Sequence, residues 1–359
     1  MARRPERWLA RRGGAVVLLR IPALLFGAAS GLRAFLYDRR CLPTARVDAP
    51  VVSVGNASVG GTGKTPMVAW VVHALAARGF RPGILSRGYG GDGGPNDESR
   101  LLGALLPGVP RVEEKDRVRG AWRLLAQGAD VVVLDDGFQH RRLHRDLDLV
   151  LVDATRPWGL PAPPEGGAPV CALLPRGLLR ERPAALGRAD ALIVTRADQV
   201  GARELAALEE ELQRLAPGRP ICRARHRPMR LRLPDGAPQH PSVLSGREVD
   251  LVSGIGNPEA FEATARSLGA RIGEHRAFPD HHAFGEGDLA GLGADGRWIV
   301  TTAKDAARIA GDPARARLHV LEVELALDEG GPVLTALFEA LPLGTARRER
   351  RALHEGLHG

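Results

Sequence analysis

The chain has 359 residues, of which 44% are hydrophobic, so there is room for two domains with a substantial core. Residues 1–40 hold nine arginines against two acids and therefore carry +7 of the net charge of +8. The body is nearly neutral, which argues against nucleic-acid binding. The three cysteines are far apart and form no C-x-x-C pair, which argues against a disulfide framework or zinc site and fits a reducing cytoplasm.

The first predicted element is an amphipathic helix within residues 13–37. Arg20 interrupts the apolar run, which argues against a signal peptide, and only twelve residues separate it from Arg33. Twelve residues give about 18 Å of helix, whereas a membrane span needs about 30 Å. We therefore predict a helix that lies in a membrane interface with flanking arginines on anionic lipid; the alternative is a helix packed on its own domain. Its apolar stripe comprises Val17, Ile21, Leu24, Leu25, Ala28, Leu32 and Phe35.

Residues 50–65 predict a strand, a glycine-rich loop and the start of a helix. The backbone N–H groups of such a loop bind phosphate oxygens at the positive end of the helix. Lys64 would reach the β- and γ-phosphates, and the Thr65 hydroxyl would ligate magnesium. The strict P-loop pattern has glycine where this chain has Ser58. The predicted phosphate-binding residues are Gly60, Gly61, Thr62, Gly63, Lys64 and Thr65.

A second strand, Ala129–Leu134, ends directly before Asp135 and Asp136. Carboxylates at the carboxyl end of a parallel strand beside a P-loop are typical magnesium ligands. Further apolar strands alternate with helical stretches, which predicts an α/β fold with a doubly wound parallel sheet. Thr195 and Asp198 follow one of these strands, where they either read a nucleotide base or form a helix-capping turn.

Two segments offer side chains for proton transfer. Asp97 or Glu98, after a glycine-rich loop, would serve as a base for a substrate hydroxyl, although a solvated loop is the alternative. The segment 280–282 places two histidines beside an acid, as a proton relay, a helix cap or, least favoured, a metal site. A further strand and polar turn carries Lys304.

Together these segments resemble the tetraacyldisaccharide 4'-kinase family, in the family's order over about residues 15–325. The matching motifs are VGGTGKTP, SRGYGG, the Asp97-Glu98 pair, DDGFQHRRL, LLPRGLLRE, VTRAD, SGIGNPEAF, FPDHHAF and TTAKD. The resemblance implies a lipid kinase that uses ATP and Mg²⁺ to phosphorylate the 4'-hydroxyl of lipid A disaccharide 1-phosphate (tetraacyldisaccharide 1-phosphate), forming lipid IVA in lipid A biosynthesis. It also implies the cytoplasmic face of an inner membrane. Besides the lipid substrate, the predicted partner is an anionic membrane surface, with no nucleic acid and no obligate protein partner.

The resemblance also implies roles for individual residues. Lys64 and Thr65 would bind phosphate and magnesium, Asp135 and Asp136 would serve the metal, and Asp97 would be the base, acting with His281 rather than His282. The family's acidic pair usually stands in a G-D-E-P context, which here reads N-D-E-S, and Ala303 replaces a frequent acid. The supporting site residues would be Tyr89, Glu98, Arg117, Gln139, His140 and Glu181.

The predicted organisation has two α/β/α domains joined by a two-stranded linker, as the family implies. The segments are a basic amphipathic membrane-surface arm within the first domain (1–40), a P-loop nucleotide-binding domain (41–217), the linker (218–246), a smaller C-terminal α/β domain (247–343) and a charged tail (344–359).

Two other functions share the P-loop. A membrane-recruited switch ATPase that positions protein partners commonly has lysine before the paired glycines, where this chain has Val59, and it needs no Asp-His-His turn. A GTP-dependent metal chaperone would call for a Cys/His cluster that the sequence lacks.

Overall fold

The structure, a computed structural model, describes residues 5–88, 97–285, 287–309 and 316–344. Its helices are α1 (Pro5–Leu9), α2 (Arg20–Asp38), α3 (Lys64–Ala76), α4 (Asp97–Leu105), α5 (Arg117–Ala126), α6 (Ala202–Leu215), α7 (Pro258–Ser267), α8 (Ala303–Arg308) and α9 (Gly331–Glu339). Its strands are β1 (Val51–Asn56), β2 (Pro82–Ser86), β3 (Arg111–Glu113), β4 (Val131–Asp135), β5 (Leu147–Asp153), β6 (Ala191–Thr195), β7 (Ile221–Arg232), β8 (Pro238–Gln239), β9 (Glu248–Ser253), β10 (Arg271–Ala277), β11 (Trp298–Thr302) and β12 (Leu318–Glu329).

The described strands form one continuous sheet in the order β10-β9-β11-β12-β7-β6-β5-β1-β4-β2-β3, with β8 attached to β7. Neighbouring strands are parallel, except that β7 runs antiparallel to both β12 and β8. The predicted α/β class is therefore confirmed. The P-loop strand β1 lies between β4 and β5, so the carboxyl ends of these strands meet at one edge.

Strand β1 shows why the first half is doubly wound. Every residue of β1 is buried, as expected for a parallel strand with both faces covered. Val52 and Val54 pack in one cluster with Met67 of α3. Val51 packs in another cluster with Leu124 of α5. Alternate side chains of this apolar strand thus pack against helices on opposite faces of the sheet.

The two long strands β7 and β12 join the halves of the sheet. Strand β7 lies within the predicted linker, but its long partner comes from residues 318–329. After β12, helix α9 packs its buried Leu334 and Phe338 into the same core as Met67 of α3. We therefore propose that residues 331–341 belong structurally with the first domain; the other predicted domain bounds stay predictions.

Helix α2 has one docked face and one exposed face. Gly27 allows close approach, because a Cβ at this position would come 2.7 Å from Leu173. Arg141 holds the helix end by donating to the Ala34 carbonyl at 3.0 Å and pairing with Asp38 at 2.7 Å. With the 3₁₀ helix that precedes it, Gly14–Asp38 is long and apolar enough to cross a membrane. The interfacial placement therefore stays a prediction.

Candidate active site

The P-loop leaves β1 at Asn56 and enters α3 at Lys64. Gly60 and Gly63 have φ of +121° and +89°, a region that favours glycine. The Lys64 ammonium lies 3.1 Å from Asn56 Oδ1 and 3.7 Å from Asp136 Oδ1. The loop and its lysine thus adopt the arrangement that the strand, glycine and helix pattern predicts.

Asp135 and Asp136 lie at the end of β4, beside the loop. Asp135 is buried, and burial together with Glu98 and Asp136 raises its pKa to about 7. Burial also acts on Asp136, but Lys64 and Arg180 outweigh it and lower the pKa of that carboxyl. The end of β4 therefore carries two neighbouring carboxyl groups. Lys64 and Arg180 compensate the charge of Asp136 more fully than that of Asp135.

Arg180 is a site residue that the sequence reasoning missed. Its Nη1 donates to both Asp136 oxygens at 2.9 and 2.7 Å and to Gln139 Oε1 at 3.2 Å. Backbone hydrogen bonds bring it there: Arg180 N donates to Ala57 O at 2.8 Å, and Val59 N to Leu178 O at 2.7 Å. Arg180 is part of the LLPRGLLRE motif, so the sequence did contain a signal for it. The resemblance, however, assigned a role to the neighbouring residue, Glu181.

Glu181 pairs with Arg188 at 2.7 Å. Arg188 in turn lies over the Phe138 ring, 4.5 Å from its centroid. Glu181 does not line the cavity as far as the structure describes it. Glu181 is therefore linked to the DDGFQH segment indirectly, through Arg188 and Phe138.

Two of the other predicted supporting residues, Gln139 and His140, belong to the DDGFQH segment, and the third, Arg117, begins α5. Gln139 Nε2 donates to the Asn56 carbonyl at 2.9 Å. Arg117 is buried at the start of α5 and donates to Glu114 O at 3.0 Å. Burial, and next the charge of Arg117, lower the pKa of His140 to about 4, so its ring is neutral. None of these three is among the described residues that line the cavity.

A cavity of about 760 Å³ is lined by the P-loop on one side and by the second domain on the other. Its first wall includes residues 59–66, Glu98, Asp136 and Arg180. Its second wall includes residues 255–257, His281 and Lys304. The sheet topology explains why the two walls face each other. The carboxyl ends of parallel strands from both domains lie at this cavity.

The second wall distinguishes the two histidines. His281 has a φ of +61°, lines the cavity and keeps 58% of its side chain exposed. His282 stacks on Phe278 with ring centroids 4.3 Å apart and contacts Asp288 at 2.8 Å. The geometry therefore favours His281 as the reactive member of the pair.

Lys304, which the sequence reasoning noted without a role, connects the two walls. Its ammonium lies 3.1 Å from Glu98 Oε1 of α4 and 3.4 Å from Asp280 Oδ1. Asp97 is the first residue of α4, but its side chain lies outside the described residues, as does Tyr89. Glu98, the next residue, places the start of α4 at the cavity.

A buried polar network supports the P-loop from the other side. Asp153, at the end of β5, pairs with Arg196 and accepts from Asn257 Nδ2 of the second domain at 2.8 Å. Arg196 also donates to Gly61 O at 2.9 Å. Thr195, predicted to read a base or cap a turn, donates to Thr62 O at 3.0 Å. The end of β6 therefore holds the P-loop.

A second buried arginine extends this network. Arg156 donates to Gly256 O at 2.9 Å, pairs with Glu259, and lies 3.3 Å from Glu6 of the N-terminal arm. Gly256 is pressed against the P-loop, because a Cβ there would come 2.4 Å from Gly61 N. No sequence pattern linked Arg156 to the SGIGNP segment, since they are 100 residues apart.

The family model described as tetraacyldisaccharide-1-P 4'-kinase matches residues 15–341. The tetraacyldisaccharide 4'-kinase of Anaeromyxobacter dehalogenans is 43% identical and aligns over 92% of each chain. That of Syntrophus aciditrophicus is 39% identical over 82% of this chain and 84% of its own.

A solved structure is similar as well. The enzyme of the same family from Aquifex aeolicus, crystallised with ATP, has a TM-score of 0.68 and 29% identity to this chain. The match covers 91% of this chain and 99% of the Aquifex chain. The similarity therefore extends over both halves of the sheet.

Proposed function

Since this chain belongs to the tetraacyldisaccharide-1-P 4'-kinase family and transfers the ATP γ-phosphate to the 4'-hydroxyl of tetraacyldisaccharide 1-phosphate, we propose that its catalytic groups meet in the cavity between the domains. The observation that carries this proposal is that Lys64, Asp136 and His281 line the same cavity. The comparisons do not favour the switch ATPase.

The P-loop side binds ATP in this proposal. The backbone of residues 60–65 presents N–H groups to the phosphates at the start of α3. The Lys64 ammonium contacts Asn56 and Asp136 in this structure. In our proposal it binds the β- and γ-phosphates and keeps contact with the γ-phosphoryl group during transfer. Fixed donors of this kind stabilise charge that develops in the transition state without reorganising.

The residues present fit a magnesium ion. Thr65, Asp135 and Asp136 offer hard oxygen ligands. Burial, and then the nearby carboxylates of Glu98 and Asp136, raise the pKa of Asp135, so a cation at this place would stabilise its ionised form. We propose that these three residues hold Mg²⁺, directly or through water. When bound, Mg²⁺ supplies charge neutralisation at the phosphate oxygens.

The proton acceptor in this proposal is Asp97, with His281 opposite it. Asp97 begins α4, and the neighbouring Glu98 reaches the second domain through Lys304. A carboxylate at this position would take the proton of the 4'-hydroxyl as the oxygen attacks the γ-phosphate. The loop 280–282 would bring His281 to the same place.

Labelled phosphate transfer from ATP to tetraacyldisaccharide 1-phosphate in detergent micelles tests these roles. Lys64→Ala, Asp97→Ala and His281→Gln should each lower kcat by about 10² or more, since each removes a group at the reacting atoms. His282→Gln is the matched control and should lower kcat much less. Equal losses in the two histidine variants would refute the assignment of His281.

We also propose that α2 places the enzyme on an anionic membrane surface, at the cytoplasmic face of the inner membrane. Its exposed face carries Ile21, Leu24, Leu25 and Leu32, each at least 60% exposed. Burying such side chains in lipid is favourable by about 1.5–3 kcal/mol each, and the arginine-rich arm adds electrostatic attraction.

Co-sedimentation with vesicles that contain anionic phospholipid tests this placement. Leu24→Gln combined with Leu25→Gln should reduce the bound fraction severalfold. Met229→Gln combined with Val333→Gln, which replaces exposed apolar residues elsewhere, should leave binding unchanged. Unchanged binding of the α2 variant would contradict the proposal.

A further inference from the structure

Arg308 holds a position that the proposed roles leave unexplained. It is the last residue of α8, and its side chain is only 4% exposed. Nη1 donates to the Gly254 carbonyl at 2.7 Å and to Asp305 Oδ1 at 3.2 Å. The guanidinium is therefore anchored within the second domain, and its planar fork is fixed in direction.

The second terminal nitrogen of this guanidinium faces the active-site histidine. Arg308 Nη2 lies 3.2 Å from His281 Nδ1. Because a guanidinium is always charged and has no acceptor, Nδ1 must accept the hydrogen bond with its lone pair. The ring proton of the neutral imidazole is then on Nε2.

We infer that Arg308 is a positioning residue that holds His281 in the cavity as a hydrogen-bond donor through Nε2–H. This inference rests on the proposed role of His281 and makes it more specific. With Nδ1 occupied, the ring presents a donor rather than a proton acceptor. It therefore binds an anionic oxygen, such as the base carboxylate or a transferred phosphoryl oxygen, and leaves proton abstraction to a carboxylate.

The local backbone supports this function. His281 has a left-handed φ of +61°, so the turn places its side chain at the cavity instead of continuing a regular element. Asp280 lies beside it, with Oδ2 3.8 Å from His281 Nε2 and Oδ1 3.4 Å from Lys304. An exposed ring in this turn needs a second contact to keep one orientation, and Arg308 provides it.

Nitrogen-15 NMR of the histidine side chains tests the inference without turnover. The intact chain is labelled at histidine, kept in detergent micelles near neutral pH, and compared with His281→Gln to assign the signals. We expect one tautomer, with the proton on Nε2 and with Nδ1 at the upfield position of a hydrogen-bonded acceptor. A proton on Nδ1 in the wild-type chain would overturn the inference.

Variants at Arg308 connect the signal to catalysis. Arg308→Met should free the ring to exchange tautomers, so that the Nδ1 signal moves further upfield, toward the value of a protonated nitrogen. It should also lower kcat by about tenfold or more, with the KM for ATP changed less than about threefold. This variant leaves Asp305 buried without its cation, so Arg308→Lys provides a second test. A lysine retains the pairing with Asp305 but, having one nitrogen, does not hold Gly254, Asp305 and His281 together.

Arg276→Lys is the matched control, because Arg276 also anchors two backbone carbonyls in the second domain. It should leave the His281 signal and kcat unchanged. If Arg308→Lys is folded and leaves both readouts at the wild-type value, the inference fails. If His281→Gln retains full activity, the proposed catalytic role of His281 fails. The tautomer measurement on the wild-type chain still tests separately whether Arg308 orients the ring.

Discussion

Two of the contacts that the described residues make between the second domain and the P-loop domain differ in burial. The first, called here the P-loop contact, consists of Asp153, Arg156, Arg196, Gly256 and Asn257. Its charged side chains are 3–6% exposed, and each has several partners. The second, called here the cavity contact, consists of Glu98, Asp280 and Lys304, whose side chains are 16–30% exposed.

This difference in burial indicates different functions. A buried ion pair that loses one member leaves an uncompensated charge in a poorly solvated place, so it opens only at a large cost. A partly exposed pair is screened by water and contributes at most about 1 kcal/mol. We therefore expect the P-loop contact to stay closed in the catalytic cycle, and the cavity contact to exchange partners when phosphate groups enter.

The largest expected effect comes from Arg196→Met, which leaves the Asp153 carboxylate buried. Because Asn257 and Thr155 still donate to Asp153, we expect the lower end of the usual range, a loss of about 3 kcal/mol in the free energy of unfolding. Urea denaturation followed by circular dichroism measures it.

Lys304→Met is the comparison for this variant, since it removes the cation of the cavity contact. The free energy of unfolding should change by less than about 1 kcal/mol. If both variants were destabilised equally, the distinction between the two contacts would be wrong.

The next effect comes from Gly256→Ala, which tests how closely the second domain is pressed on the P-loop. The new Cβ would come 2.4 Å from Gly61 N, which is backbone, so one of the two loops must move. Since small displacements of positioned groups are costly, we expect kcat/KM to fall about 10- to 100-fold in the micelle assay.

Gly285→Ala controls for the loss of glycine in the same domain, because a Cβ there meets no atom within 4 Å. It should retain activity within about twofold. Full activity of Gly256→Ala would show that the P-loop contact adjusts easily.

The smallest effect concerns His226 of β7, whose Nε2 would lie 2.6 Å from a Cβ on Gly63. Burial, and then the charge of Arg196, hold the pKa of His226 well below its usual value of 6.5. The ring is thus neutral in the folded chain but protonated in the unfolded chain below about pH 6.5. Its stabilising contribution is complete above that pH and declines as the pH falls.

Between pH 8 and about pH 5.5, the wild-type chain should lose about 1 kcal/mol more stability than His226→Gln. Urea denaturation at the two pH values measures the difference. An equal loss in both proteins would mean that water reaches the part of β7 beside the P-loop, so that His226 is not buried as the structure shows.

The sequence by itself determined the α/β class, the P-loop, the carboxylates after β4 and the paired histidines. These features are local, because a buried strand followed by glycines and a helix needs only about twenty consecutive residues to be recognised. The comparisons confirmed the family and the activity to which these motifs pointed, while the individual catalytic roles stay predictions.

Only the tertiary structure decided which charges meet. It selected Arg180 beside Asp136, joined Asp153 to Asn257 across 104 positions of the chain, and brought Arg308 to His281. It also packed Leu334 and Phe338 of α9 into one core with Met67 of α3, which supports our proposal that these residues belong with the first domain. Such pairings depend on strand order and crossovers, which bring distant residues together. No short-range sequence pattern predicts them.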